Sequence, residues 1–290
     1  MKITVPPREI SGLSEIGALF PAILCDVWGV VHDGVSPLQS GVEALMAYRN
    51  NGGAVMLISN APRPSWSVRE QMAGIGVDLA CFDRLITSGD VTRSFLEEQK
   101  NVRVFHLGPA RDHTIYQDLA VEISDLDSAD VVCCSGLFNE MTEQPEQYDP
   151  LLAQMMELGL PMVCANPDIV VESGDRLIPC AGALAARYVA IGGSAVIAGK
   201  PNAPIYDRAM LEIGALLAGQ YTTGRVLAIG DGVKTDVLGA NRAGLDVLFI
   251  AAGIHAAEYG DGNQIEAGDV AAFMERHEAV ADYFMPRLSW

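Results

Sequence analysis

The chain has 290 residues, half of them hydrophobic, with 37 acidic side chains against 19 basic ones and a net charge of −18. That balance excludes a broad basic surface for nucleic acid or an anionic membrane, because either would need lysine and arginine to neutralise phosphate. Apolar residues fall in short runs bounded by glycine, proline or charge, none near the ~20 residues that span a bilayer.

The N-terminal stretch MKITVPPREISGLSEIG has no continuous apolar segment between its charges, which argues against a secretory signal. Cys25, Cys81, Cys133, Cys134, Cys164 and Cys180 sit mostly inside apolar runs, without a CxxC pair. Reduced, buried thiols in a cytoplasmic protein are expected, rather than disulfides or zinc.

In chain order, AILCDVW (22–28) reads as a strand, 42–49 as part of a helix, AVMLIS (54–59) as a strand and 65–73 as a helix. Short β-rich runs alternating with longer amphipathic ones are the rhythm of βαβ units and of a parallel sheet covered on both faces. Residues 88–187 carry their own strand-like runs, VRVFHLG, ADVVCCS, PMVCAN and DRLIPC, with helical stretches after Arg111 and over 150–158. That is enough apolar material for a second core. The first rhythm then returns with SAVIA (194–198), a helix over 205–216, RVLAIG (225–230), a helix from Thr235 and DVLFIAAG (246–253). The expected architecture is α/β: a Rossmann-like, doubly wound parallel core from 1–87 and 188–290, sharing one sheet, with an inserted α/β domain at 88–187.

The chemistry gathers at the predicted strand ends. Asp26 follows four apolar residues and precedes a glycine-bearing turn, so its carboxylate projects from the strand edge where doubly wound sheets bind ligands. An aspartate there also serves simply to cap a turn; recurrence adds the weight. MLISN puts Ser59 and Asn60 at the next strand tip, and AGKPN puts Lys200 after SAVI. LAIGDGVKTD puts Asp231 at another strand exit, with Asp236 one turn into a helix. A carboxylate, a hydroxyl, an ammonium and a carboxylate pair suit phosphoryl transfer, where a phosphate ester repels an anionic nucleophile until a cation and a lysine neutralise it. Magnesium takes oxygen ligands from one or two carboxylates, a backbone carbonyl and the phosphate; Asp26 and Asp231 are the expected carboxylates. Asp236 has an alternative role as an acidic residue in the first turn of a helix.

Asp26-x-x-Gly29-Val30, Ser59-Asn60, Lys200-Pro201 and Gly230-Asp231-x-x-x-x-Asp236 resemble, in order, the four motifs of the haloacid dehalogenase (HAD) superfamily. The insertion between the second and third resembles the class IIA cap of its NagD-like sugar and nitrophenyl phosphatases, as do TSGDVT (87–92) and ANPDIVV (165–171). The resemblance implies that Asp26 is a nucleophile forming an aspartyl-phosphate. Ser59 and Asn60 would bind the transferring phosphoryl group, and Lys200 would hold both it and Asp26. Asp26, Asp231 and the backbone carbonyl of Trp28 would ligate Mg2+, with Asp236 in the metal site or behind it. Asn166 and Asp168 of the cap would reach substrate hydroxyls, or form the turn that NPD equally specifies. The implied activity is Mg2+-dependent hydrolysis of a small phosphorylated metabolite, a sugar phosphate first. A homodimer made through the cap is a further implication, with ADVVCCSGLF read here as a buried strand rather than that surface.

Trp28 stands where phosphatases of the superfamily usually carry a second aspartate, which protonates the leaving oxygen and then activates water. General acid–base help is typically worth ~10²–10⁴-fold, so its loss slows both half-reactions unless another group substitutes. Three readings stay open. His32 or Asp33 takes the role, histidine having a suitable intrinsic pKa; the substrates have good leaving groups; or the protein is a weakly active or non-catalytic sensor of a phosphometabolite. An aromatic residue here also occurs in true dehalogenases, whose cap differs from the one expected. The plainer alternatives are an exposed turn residue for His32, space filling for Trp28, and surface or capping roles for His106 and His255.

Overall fold

The computed structural model describes residues 6–173, 176–217, 225–255 and 265–290; residues 1–5 of the N-terminal stretch discussed above lie outside them. In chain order the strands are β1 (Arg8–Glu9), β2 (Ala22–Asp26), β3 (Ala54–Ser59), β4 (Arg84–Thr87), β5 (Arg103–Leu107), β6 (Glu122–Ile123) and β7 (Val131–Cys134). There follow β8 (Met162–Cys164), β9 (Val170–Ser173), β10 (Arg176–Pro179), β11 (Ala195–Ile197), β12 (Val226–Gly230), β13 (Asp246–Ile250) and β14 (Tyr283–Met285). The α-helices are α1 (Gln39–Asn50), α2 (Ser65–Gly74), α3 (Ser88–Glu98), α4 (Asp149–Glu157), α5 (Ala181–Ala190), α6 (Ala203–Leu216), α7 (Leu238–Ala243) and α8 (Ala267–Arg276). No helix among the described residues is long and apolar enough to cross a membrane.

The chain divides into two compact units: Met1–Ser59 with Arg69–Ile86 and Tyr206–Trp290, and Asn60–Val68 with Thr87–Ile205. The first holds a sheet of seven strands in the order β1-β14-β13-β12-β2-β3-β4. Pairing is parallel from β1 across to β3. All five residues of β2 are buried and the four before Asp26 are apolar, as a strand covered on both faces requires. Because β3 flanks β2 on one side and β12 on the other, the C-terminal ends of β2 and β12 border a topological switch point. Val233, Val237, Ala240, Phe249 and Phe273 pack in one cluster beside this sheet, with the Phe249 and Phe273 rings stacked at 6.1 Å. This is the doubly wound parallel core expected from the sequence.

The second unit holds a five-stranded parallel sheet in the order β11-β8-β7-β5-β6 and an antiparallel pair, β9 and β10. Its helices cover both sheet faces. Val131 and Cys133 of β7 join a cluster with Leu96, Ile115 and Tyr116, whereas Val132 and Cys134 join Leu152, Met155, Leu184 and Tyr188. The period of two splits VVCC between two cores, so this run is a buried strand as read. All six cysteines are buried and none is in a disulfide; burial pushes the Cys133 thiol up to about 12, which leaves it unreactive. TSGD is a capping box: Thr87 Oγ1 accepts from the Asp90 N–H and Asp90 Oδ2 from the Thr87 N–H, both at 3.0 Å.

Three local assignments are corrected. SAVIA does not join the first sheet; β11 is the edge strand of the second, paired in parallel with β8 from Ala195↔Met162 to Ile197↔Cys164. Its apolar letters say strand, but Val196 is 41 % exposed, as an edge position allows and a central core strand would not. The second unit accordingly runs on to Ile205, beyond the expected 187. The helix after Arg111 is a 3-10 segment, Ala110–Tyr116, and the one expected from Thr235 opens as a π-helical turn, Val233–Val237, before α7.

His106, in β5, is neither a surface nor a capping group. Its Nδ1 lies 2.7 Å from the Tyr116 hydroxyl and its Nε2 3.2 Å from the Pro109 carbonyl. A carbonyl only accepts, so Nε2 carries the proton and Nδ1 accepts from the phenol. Burial pushes the imidazole down to about 4, below the ~6.5 of an unfolded histidine. The stability it contributes is therefore present above pH ~6.5 and lost as pH falls towards 4. Urea titrations of a His106→Gln variant should show a shallower fall in unfolding free energy over that window, and an unchanged acid limb would contradict the assignment.

Candidate active site

Two adjacent strands set the site. Asp26 is the last residue of β2 and Asp231 the first after β12, and Ile229 pairs with Cys25, so both carboxylates leave the same sheet edge. Ser59 ends β3, one residue beyond Ile58, the partner of Asp26. Asp236 enters from the π-helical turn, an irregularity frequent at functional sites. One oxygen from each of Asp26, Asp231 and Asp236 lies within 4.8 Å of the others, and all three residues are buried.

Backbone donors fix these carboxylates. Asp26 Oδ1 accepts from the Val27 N–H at 2.7 Å, Asp231 Oδ2 from the Ile254 N–H at 3.0 Å and Asp236 Oδ2 from the Gly232 N–H at 3.0 Å. Glycines make the space. A Cβ on Gly29 or Gly253 would overlap the Asp231 carboxylate, and Gly29 also holds a φ of +79° that other residues rarely adopt. Gly253 and Ile254 were not singled out in the sequence; the available signal was a glycine directly following DVLFIAA. Like charges this close repel one another in a buried setting. An all-oxygen, carboxylate-rich donor set of this kind fits a hard divalent cation such as Mg2+.

The loop after β2 shows what surrounds Trp28. The indole is 37 % exposed and meets His32 edge-on, ring centroids 5.3 Å apart. His32 is buried, not the exposed turn residue of the plainer reading. Its Nδ1 accepts from the Gly34 N–H at 2.9 Å, and burial pulls its pKa down against the opposing charge of Asp33. A neutral imidazole with the proton on Nε2 follows. Asp33 is the exposed turn residue: its Oδ1 accepts from the Val35 and Ser36 N–H groups at 2.9 and 2.8 Å, which hold its pKa below the ordinary value. His255 accepts at Nε2 from the Val233 N–H at 3.3 Å.

Asn60, Asn166, Asp168 and Lys200 belong to the second unit. Lys200 is buried. The Asn60 amide accepts from the Lys200 N–H at 2.8 Å and donates to Asp168 Oδ1 at 2.8 Å and to the Lys200 carbonyl at 3.3 Å. Asn166 Oδ1 accepts from the Asp168 N–H at 3.1 Å, so NPD does form the turn that its letters specify.

Residues 23–122 match the haloacid dehalogenase-like hydrolase family, and 197–281 match a second HAD-hydrolase-like family. A solved haloacid dehalogenase-like hydrolase from Brucella suis 1330 is 41 % identical, with a TM-score of 0.84, covering 98 % of this chain and 100 % of that one. The chain belongs to the haloacid dehalogenase-like hydrolase family. Ribonucleotide monophosphatase NagD of Escherichia coli (strain K12) is 25 % identical over 241 residues, 81 % of this chain and 89 % of that protein. D-glycerol 3-phosphate phosphatase of Mycobacterium tuberculosis is 28 % identical over 257 residues, 84 % of this chain and 67 % of that protein. The class IIA, NagD-like resemblance read from the motifs agrees with these relatives.

If mutual repulsion dominates the metal-free carboxylate cluster, an Asp236→Asn variant should unfold at a higher temperature than the wild type in EDTA. Added Mg2+ should stabilise the wild type more than the variant. Identical melting behaviour of the two proteins under both conditions would show that the three carboxylates neither strain the fold nor bind the ion.

Proposed function

We propose that the protein hydrolyses a small phosphomonoester, with Asp26 as nucleophile. The observation that carries this reading is the buried carboxylate trio at the switch point between β2 and β12, the edge at which open α/β sheets bind ligands. The curated relatives named above as phosphatases support a small phosphorylated substrate, and a sugar phosphate is the class implied by the motif resemblance. An Asp26 carboxylate oxygen attacks phosphorus as the ester oxygen departs; water then cleaves the acyl phosphate, releasing inorganic phosphate and restoring the carboxylate. Ser59 would donate its hydroxyl to the phosphoryl oxygens, and Lys200 would add its ammonium to the charge balance.

Asp26, Asp231 and the Trp28 carbonyl would hold Mg2+, with Asp236 as a further ligand or a support. Among the described loop hydrogen bonds none ends on the Trp28 carbonyl, which supports that atom as a ligand. The ion, when bound, supplies positive charge to the phosphoryl oxygens.

The acid for the leaving oxygen is the weak point of the chemistry. His32 is neutral, with Nδ1 accepting from Gly34 and its one N–H on Nε2, and the N–H of a neutral imidazole is far too weak an acid to protonate a leaving oxygen. Asp33 has its carboxylate in a turn. These partners favour substrates whose leaving groups depart without protonation. Phosphate release measured across nitrophenyl, aryl and sugar phosphates in Mg2+ should therefore fall steeply as leaving-group pKa rises. Trp28→Asp should flatten that dependence, lifting the poorest esters by up to ~10²-fold, and Asp26→Asn should abolish release throughout. A flat dependence in the wild type would overturn the leaving-group argument. Release from none of these esters would sink the hydrolase reading for them and favour binding without turnover.

A further inference from the structure

We propose that Asn60 is a positioning residue, whose single amide sets the main chain of Lys200 and the carboxylate of Asp168, rather than a phosphate ligand; its effect on the reaction rests on the phosphomonoesterase reading above. Lys200 is 2 % exposed, so its peptide N–H and C=O need partners within the protein. Strand β11 cannot supply them. It is three residues long, ends at Ile197 and lies at the sheet edge, and past Ile197 the ladder with β8 continues with the Ala198 N–H, which donates to the Cys164 carbonyl at 3.1 Å, two residues short of Lys200.

Asn60 takes over where the ladder stops. Its Oδ1 accepts from the Lys200 N–H at 2.8 Å and its Nδ2 donates to the Lys200 carbonyl at 3.3 Å. A side-chain amide thus pairs with both main-chain groups of one residue, as the peptides of a neighbouring antiparallel strand do. Nδ2 also donates to Asp168 Oδ1 at 2.8 Å. A carboxamide has two N–H donors, and both are taken; a phosphate oxygen would have to displace one of them. The fit is tight, since a Cβ on Gly199 would stand 2.5 Å from Asn60 Oδ1 and 2.8 Å from Pro167 Cγ.

Asp168 is held on its other sides too. Its N–H donates to Asn166 Oδ1 at 3.1 Å and its carbonyl accepts from the Gly182 N–H at 3.1 Å. The segments that follow β3, β8 and β11 therefore meet at one amide, itself 6 % exposed. Only a carboxamide suits this place. An aspartate of the same shape would accept from Lys200 but donate nothing, and it would set a second carboxylate against Asp168.

The test is a reciprocal exchange. Asn60→Asp removes both donors and should lower kcat for nitrophenyl phosphate by about 100-fold, the scale of a misplaced reacting group, with KM changed by no more than about threefold. Asp168→Asn supplies the other corner of the cycle. The double variant, Asn60→Asp with Asp168→Asn, again sets a donor against an acceptor and should regain at least about tenfold of the lost kcat. A double variant no better than Asn60→Asp alone would overturn the positioning role. So would a loss falling on KM, which would point instead to direct contact with phosphate. Melting temperatures of the same four proteins read the link independently of turnover. If the wild type hydrolyses no ester, non-additive melting shifts would retain the amide link while the reaction assignment falls, and additive shifts would discard the link itself.

Discussion

Three carboxylates held within 4.8 Å of one another and shielded from solvent are the constraint around which the first unit is organised. At an effective dielectric of about 20, each such pair repels by ~3 kcal/mol, a large share of the net stability of a typical domain. No flexible surface loop would hold that arrangement. It stands here because Asp26 and Asp231 leave adjoining, wholly buried strands, and because glycines let backbone and carboxylate come closer than any side chain would permit. Backbone N–H groups of Val27, Gly232 and Ile254 spread some of the negative charge. The cluster is a preorganised negative site, whose electrostatic cost is met in folding rather than at the moment a cation arrives.

The loop between β2 and α1 carries Trp28, and its packing bears on the histidine beside it. Trp28 covers His32, and desolvation keeps the imidazole neutral. The indole thus helps keep the neighbouring imidazole out of water and uncharged. The same contact makes the loop compact: the Gly29 N–H reaches the His32 carbonyl at 2.9 Å and the Val31 N–H reaches Val27 at 2.8 Å. The environment of His32 and the shape of the loop are linked through one side chain.

Much of this was legible in the sequence where a local rule applies. A buried run ending in a carboxylate marks Asp26, and the same grammar marks Asp231 and the tip of β3 at Ser59. TSGD, read above only for its family resemblance, also has the letters of a capping box. The misreadings have a common cause: they depend on neighbours remote in the chain. SAVIA has the letters of a strand, but which sheet receives it is settled by Met162, Val163 and Cys164. His32 is buried by an indole whose orientation no periodicity specifies. Asn60 has partners 108 and 140 residues away, contacts that no local rule announces.

The placement of β11 bears on how this chain can be recombined with its relatives. A cut at 187 would sever Lys200 and its supporting strand from β8, leaving three strand residues with no ladder to join. The inserted sheet is thus not a detachable accessory: one of the motifs that define the family travels with it. Exchange of segments within such a lineage is then constrained to pieces that keep Asn60 through Val68 and Thr87 through Ile205 together, so the inserted sheet and Lys200 are inherited as one block.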